Sequence, residues 1–145
     1  MWYNGIMAWI LKSPFHPLLS KNTLLLEYTG RRSGKAFVTP VNYVRTGEEL
    51  MVTSQRHRTW WRNFIGGAPV RLWLAGEQVN ARAITQVDPD EVVQSLQKYL
   101  TAAPQIARYF QVSLDEQGRP KSAEVELAAL SRVAVRILFN SNKDQ

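Results

Sequence analysis

The sequence predicts an α+β fold: an antiparallel sheet of about six strands, closing most simply as a small barrel, with helices at its ends. Three observations lead there. Short β-type runs separated by strong turn signals fill residues 23 to 87, the pattern turns helical after residue 87, and a last strand-like run, "RVAVRILF", comes near the end. The chain has 145 residues, 45% of them hydrophobic and 21% charged, which is enough for one real core. No repeat, low-complexity tract or linker divides it, so residues 1–145 read as one domain.

Each element follows from local chemistry. Trp2, Ile6, Trp9 and Ile10 fall at helical spacing, predicting a short amphipathic helix over about residues 2–12 that stops before Pro14. It is too short to span a bilayer and lacks the features of a secretory signal, so a cytoplasmic protein is expected. Its tryptophans suit peripheral membrane contact, a cover for one end of a barrel, or a dimer seam. "TLLLEYT" (23–29) reads as a strand, "GRRSGK" as a turn, and "FVTPVNYV" (37–44) as the partner strand, confined to an edge or bulge by Pro40. "RTGEE" turns the chain into "LMVTS" (50–54), and the basic loop "QRHR" follows. Thr59 is the expected N-cap of a short helix "WWRNF", ended by Gly66 and Gly67. "PVRLWLA" (69–75) and "QVNARAITQV" (78–87) alternate apolar and polar residues about a tight turn at Gly76, so each buries one face. In "DPDEVVQSLQKYLTAA", Asp88 is the N-cap, Pro89 opens the helix, and acidic residues favour its first turn. "PQIARYF" reads as a short helix, "DEQGRP" as a turn, and "SAEVELAAL" as a further helix before the closing strand.

Charge narrows the function. Residues 30 to 71 hold eight basic side chains (Arg31, Arg32, Lys35, Arg45, Arg56, Arg58, Arg62, Arg71) against Glu48 and Glu49, and so carry the entire net charge of +6. A surplus confined to one segment points to an anionic partner held at one place, with a solvated basic face as the competing explanation. The chain has no cysteine, which excludes disulfides, thiolate metal sites and a cysteine nucleophile. Its two histidines, His16 and His57, have no companion acid cluster, so no metal site is expected. No nucleophile elbow or glycine-rich phosphate loop is present. If residues 23 to 54 form a three-strand meander, the first hairpin turn and the loop after the third strand lie at one end of the sheet. Turn N–H groups, a helix N-terminus near Thr59, and Arg31, Arg32, Arg56 and Arg58 would then converge on a phosphate or carboxylate.

The runs "LEYTGRRSGKAFVTPVNY", "LMVTSQ", "WWRNF" and "VRLWLAGEQVNARA" resemble the deazaflavin-dependent nitroreductase family over about residues 20 to 87. The most specific element is the T-x-G-R-[KR]-[ST]-G hairpin followed by a strand ending in proline, met here by Thr29 to Gly34 and by Pro40; Trp60 to Asn63 match the later Trp-x-x-Asn. Ala36 and Phe37 stand where relatives usually have a proline and a basic residue. The resemblance implies a split β-barrel like that of pyridoxamine phosphate oxidases, commonly dimeric. It implies the anionic deazaflavin coenzyme F(420), with hydride passed to a quinone-like, nitro or conjugated acceptor. By position, Arg31, Arg32, Ser33, Gly34 and Lys35 would hold tail and phosphate, Val38, Thr39 and Pro40 would line the ring, Thr53, Ser54 and Gln55 would reach ring or phosphate, and Trp60, Trp61 and Asn63 would close the pocket. Ser54 and a tyrosine of the C-terminal half, Tyr109 or Tyr99, are the expected catalytic donors. Two other readings remain at this point: an FMN- or haem-binding split barrel without this activity, and a single-stranded nucleic-acid binder stacking bases on Trp60 and Trp61.

Overall fold

A computed structural model describes residues 23 to 139 apart from residue 75, so the helix expected over residues 2–12 lies outside the described residues. Its strands are β1 (Thr23–Thr29), β2 (Ala36–Asn42), β3 (Val44–Thr46), β4 (Glu49–Gln55), β5 (Ala68–Leu74), β6 (Glu77–Gln86) and β7 (Arg132–Phe139). They form one sheet in the order β2-β1-β5-β6-β7-β4-β3, antiparallel throughout. Leu24, Leu26, Val41, Val52, Leu72, Ala83, Val135 and Ile137 share one core although they come from strands at both ends of that order. The sheet is therefore curled about its own inner face, as a half-barrel whose outermost described strands are β2 and β3. Apolar residues at every second position produce this: the alternation expected in β5 and β6 puts Val70, Leu72, Ala81 and Ala83 inside.

Two expectations about the sheet are corrected. The run read as one strand over 37–44 divides at Tyr43 into β2 and β3, giving seven strands among the described residues. Among the described residues β2 then pairs only with β1, and β4 only with β3 and β7, so residues 23 to 54 are not a meander. Pro40 sits on the edge strand, opposite Leu25, where its missing N–H costs least.

Helix α1 (Pro89–Ala102) begins as its sequence demands, with the Asp88 carboxylate accepting from the Glu91 N–H at 3.3 Å. Its buried stripe of Val92, Leu96, Tyr99 and Leu100 packs with Val125 and Ala129 of α2 (Ser122–Ala129) on the outer face of the sheet, around Met51. Two segments expected as short helices, Trp60–Phe64 and Pro104–Phe110, are 3-10 turns. Thr59 makes no side-chain cap: its backbone is right-handed rather than extended, and only its carbonyl is used, accepting from Arg62 N–H at 3.1 Å. Gly66 and Gly67 end the first 3-10 turn at φ of 84° and 92°, values that favour glycine. Thr85 ties that turn to β6 by donating its hydroxyl to the Trp61 carbonyl at 2.7 Å.

Candidate active site

The β1–β2 hairpin fixes its own backbone and leaves its charges outward. Gly30 N–H donates to the Lys35 carbonyl at 2.8 Å, Gly34 N–H to the Gly30 carbonyl at 2.9 Å, and Lys35 N–H to Ser33 Oγ at 3.1 Å. Arg31, Arg32 and Lys35 are exposed. Gly30 is required by close approach: a Cβ there would lie 2.7 Å from Phe37 Cε2. Phe37 in turn stacks on Tyr28, whose ring meets Phe64 edge-on, so an aromatic column supports the hairpin from the core. Across from it, Asn63 accepts from Arg31 N–H and donates to the Trp60 carbonyl, both at 2.8 Å. One side chain thus binds the hairpin to the first 3-10 turn. Between them lies a depression of about 430 Å³ bordered by Arg31, Arg32, Ser33, Thr59, Trp60, Arg62 and Asn63, with no carboxylate in its wall.

A larger cavity of about 770 Å³ adjoins it, with Trp60 in the walls of both. β2 gives this cavity Thr39, Pro40 and Val41; β4 gives Val52, Thr53, Ser54 and Gln55; the C-terminal half gives Tyr99, Ile106, Tyr109, Phe110 and Arg132. Curling of the sheet brings β2 and β4 to one site although they lie near opposite edges. Ser54 is buried and committed: its hydroxyl donates to the Gln55 carbonyl and accepts from Trp60 Nε1, each at 3.1 Å. Tyr109 is 64% exposed, its hydroxyl accepting from Arg108 at 3.0 Å. Tyr99 is 4% exposed. Burial pushes its phenol up from the usual tyrosine range, with the Arg132 charge and a hydrogen bond from Thr53 pulling the other way, so it stays protonated at neutral pH. Arg132 Nη1 donates to Thr53 Oγ1 at 3.3 Å, and its guanidinium lies 4.3 Å from the Phe110 ring centre.

The expected site residues separate cleanly. Arg31, Arg32, Ser33 and Asn63 border the smaller depression, Thr39, Pro40, Thr53, Ser54, Gln55 and Tyr109 the larger cavity, and Trp60 both. Gly34, Lys35 and Val38 border neither. Trp61 points into the core at 4% exposure. Arg56, expected among the anion-binding forks, is spent on structure: its guanidinium donates to the Val87 and Arg132 carbonyls at 3.0 and 3.1 Å. Arg132 and Phe110 belong to the cavity but escaped the sequence reading. An arginine opening an apolar strand carries no local signal, and only the β4–β7 pairing brings it beside Thr53.

Among the described residues no group of side chains could hold a metal ion, and no helix is long and apolar enough to cross a membrane. The fold is shared with solved structures. The conserved hypothetical protein Rv2991 from Mycobacterium tuberculosis is 16% identical with a TM-score of 0.53, over 89% of this chain and 81% of that one. A protein described as a domain-swapped dimer is 17% identical at 0.53, over 93% and 96%. A putative pyridoxamine 5'-phosphate oxidase from Listeria innocua is 10% identical at 0.53, over 97% and 95%. These likenesses establish the split-barrel architecture. Comparison with curated proteins finds no match. Residues 14–116, most of the chain, match the family model described as F(420)H(2)-dependent quinone reductase. The chain belongs to that family: it is an oxidoreductase whose cofactor is the deazaflavin coenzyme F(420).

Proposed function

We propose that the chain reduces a quinone-like, nitro or otherwise conjugated acceptor held in the larger cavity, using the coenzyme bound across Trp60. The observation that carries this is the pairing of a basic, acid-free depression with an adjoining cavity walled by an apolar strand and by phenol, hydroxyl and guanidinium groups. The donor set fits the coenzyme. Arg31 and Arg32, with Arg62 beside them, offer forked donors to its phosphate and carboxylate tail. Thr39 and Pro40 offer a flat wall to its ring. When bound, the reduced coenzyme supplies the hydride.

The chain's own residues position and protonate. The Ser54 hydroxyl hydrogen is already given to a carbonyl, which makes Ser54 the residue that orients the Trp60 indole. Tyr99 and Tyr109 then serve as the proton donors where negative charge grows on acceptor oxygen, Tyr99 from inside the cavity and Tyr109 from its rim. The assembly we propose is a homodimer, in keeping with a structural neighbour described as a domain-swapped dimer.

A fluorescence titration with F(420) on the wild type and on an Arg31→Ala, Arg32→Ala double variant tests the hairpin's role. Loss of two charge-assisted contacts is expected to weaken binding by about a hundredfold or more. Unchanged affinity would sink the assignment. Parallel titrations with FMN and haem are expected to show no comparable binding.

A further inference from the structure

The larger cavity has two arginines in its wall, Arg58 and Arg132, and no aspartate or glutamate. Arg58 is exposed. Arg132 is half-buried and anchored: β7 holds its backbone opposite Gln55, Phe110 covers its guanidinium, and Thr53 takes one N–H. Its neighbour on the same face of β7 shows what is missing. Arg136, four residues on, is held by both carboxylate oxygens of Glu49 at 2.8 Å, and Arg71 pairs with Glu27 at 3.6 Å. Among the described residues Arg132 has no such ion pair. A guanidinium carries five N–H donors, so the single bond to Thr53 leaves most of the fork unspent. Desolvating a cation without a counter-ion is unfavourable, and an anion entering the cavity would relieve it. The Tyr99 phenol lies in the same wall.

We infer that Arg132 is the anion-recognition residue of this cavity, and that the preferred acceptor is a conjugated ring bearing an ionised hydroxyl or carboxylate. This rests on reading the cavity as the acceptor site. The Phe110 ring and the Thr53 tether act as positioning elements, holding the fork so that little freedom is lost when the anion binds.

The test compares two probes of nearly equal shape at neutral pH, ionised 2-hydroxy-1,4-naphthoquinone and neutral 2-methoxy-1,4-naphthoquinone. Each is titrated calorimetrically against the full chain with saturating oxidised F(420), and against the chain alone. Wild type is expected to bind the anion about tenfold or more tighter than the neutral probe, the margin of one charge-assisted hydrogen bond. In Arg132→Gln that ratio falls to about one, while affinities for the neutral probe and for F(420) stay within about twofold. Arg132→Lys, which keeps charge without the fork, is expected to retain part of the preference and serves where the glutamine variant does not fold. An unchanged ratio in either variant, or an equal loss of both probes, overturns the inference. So does a tenfold loss of F(420) affinity with the probe ratio intact, which would give Arg132 to the coenzyme instead. Should F(420) fail to bind at all, the underlying reading fails, yet the ratio measured on the chain alone still decides the role of Arg132.

Discussion

Asn63 concentrates more of the site in one side chain than any arginine does. Its carbonyl oxygen holds the Arg31 N–H and its amide holds the Trp60 carbonyl, so the hairpin bearing the charges and the turn bearing the shared tryptophan are placed by the same residue. Asn63→Ala is expected to cost about 1 kcal/mol of stability, read by thermal melting, because two partners lose exposed or half-exposed bonds. Binding should suffer more, with F(420) affinity by fluorescence titration falling about tenfold as the two walls separate. A variant that loses stability and keeps full affinity would show that the coenzyme needs only one of the two walls. At this scale the sequence was partly legible. Arg31 and Arg32 stand in one motif of fixed spacing and Asn63 in another, whereas Arg132 becomes informative only beside Thr53, 79 positions away. Trp61 and Trp60 are adjacent and alike in sequence. Only the pitch of the 3-10 turn sends the first into the core and leaves the second between the cavities.

Among the elements, strands and α-helices were legible because their signals are repeated over many residues: β1 and β7 coincide with the runs read as "TLLLEYT" and "RVAVRILF". Pairing was less legible. Alternation says which face of a strand is buried but not which strand lies next to it, so β4 was expected beside β2 and lies between β3 and β7. That pairing is braced by Glu49 and Arg136, whose two-pronged contact holds the Glu49 carboxyl below its ordinary range of about 4.5. A carboxyl lowered in the folded state stabilises above its unfolded pKa, and the benefit is lost as pH falls through the folded value. Glu49→Gln is therefore expected to lose about 1 kcal/mol at pH 7, limited by solvent screening at a partly exposed pair. The gap between wild type and variant should close as urea melts are taken to pH values below the lowered, folded-state pKa of Glu49. A gap that persists there would mean the glutamate acts through packing instead of charge.

For the whole molecule, the proposed homodimer makes stability depend on concentration. Raising protein concentration about a hundredfold is expected to raise Tm by a few degrees, and light scattering should return twice the chain mass. A concentration-independent Tm with a monomer mass would remove the dimer. The site itself is a product of the half-barrel as a whole, since β2 and the β4–β3 hairpin at the opposite end of the strand order contribute facing walls. Among the described residues β2 has a single hydrogen-bonded neighbour, so its other flank of main-chain donors and acceptors meets no described strand. In the proposed binding mode, with the coenzyme ring beside Thr39 and Pro40, that flank would offer the ring peptide groups that no side-chain replacement deletes. Recognition through β2 would then be written in connectivity, and it would outlast wide drift in the residues that clothe the strand.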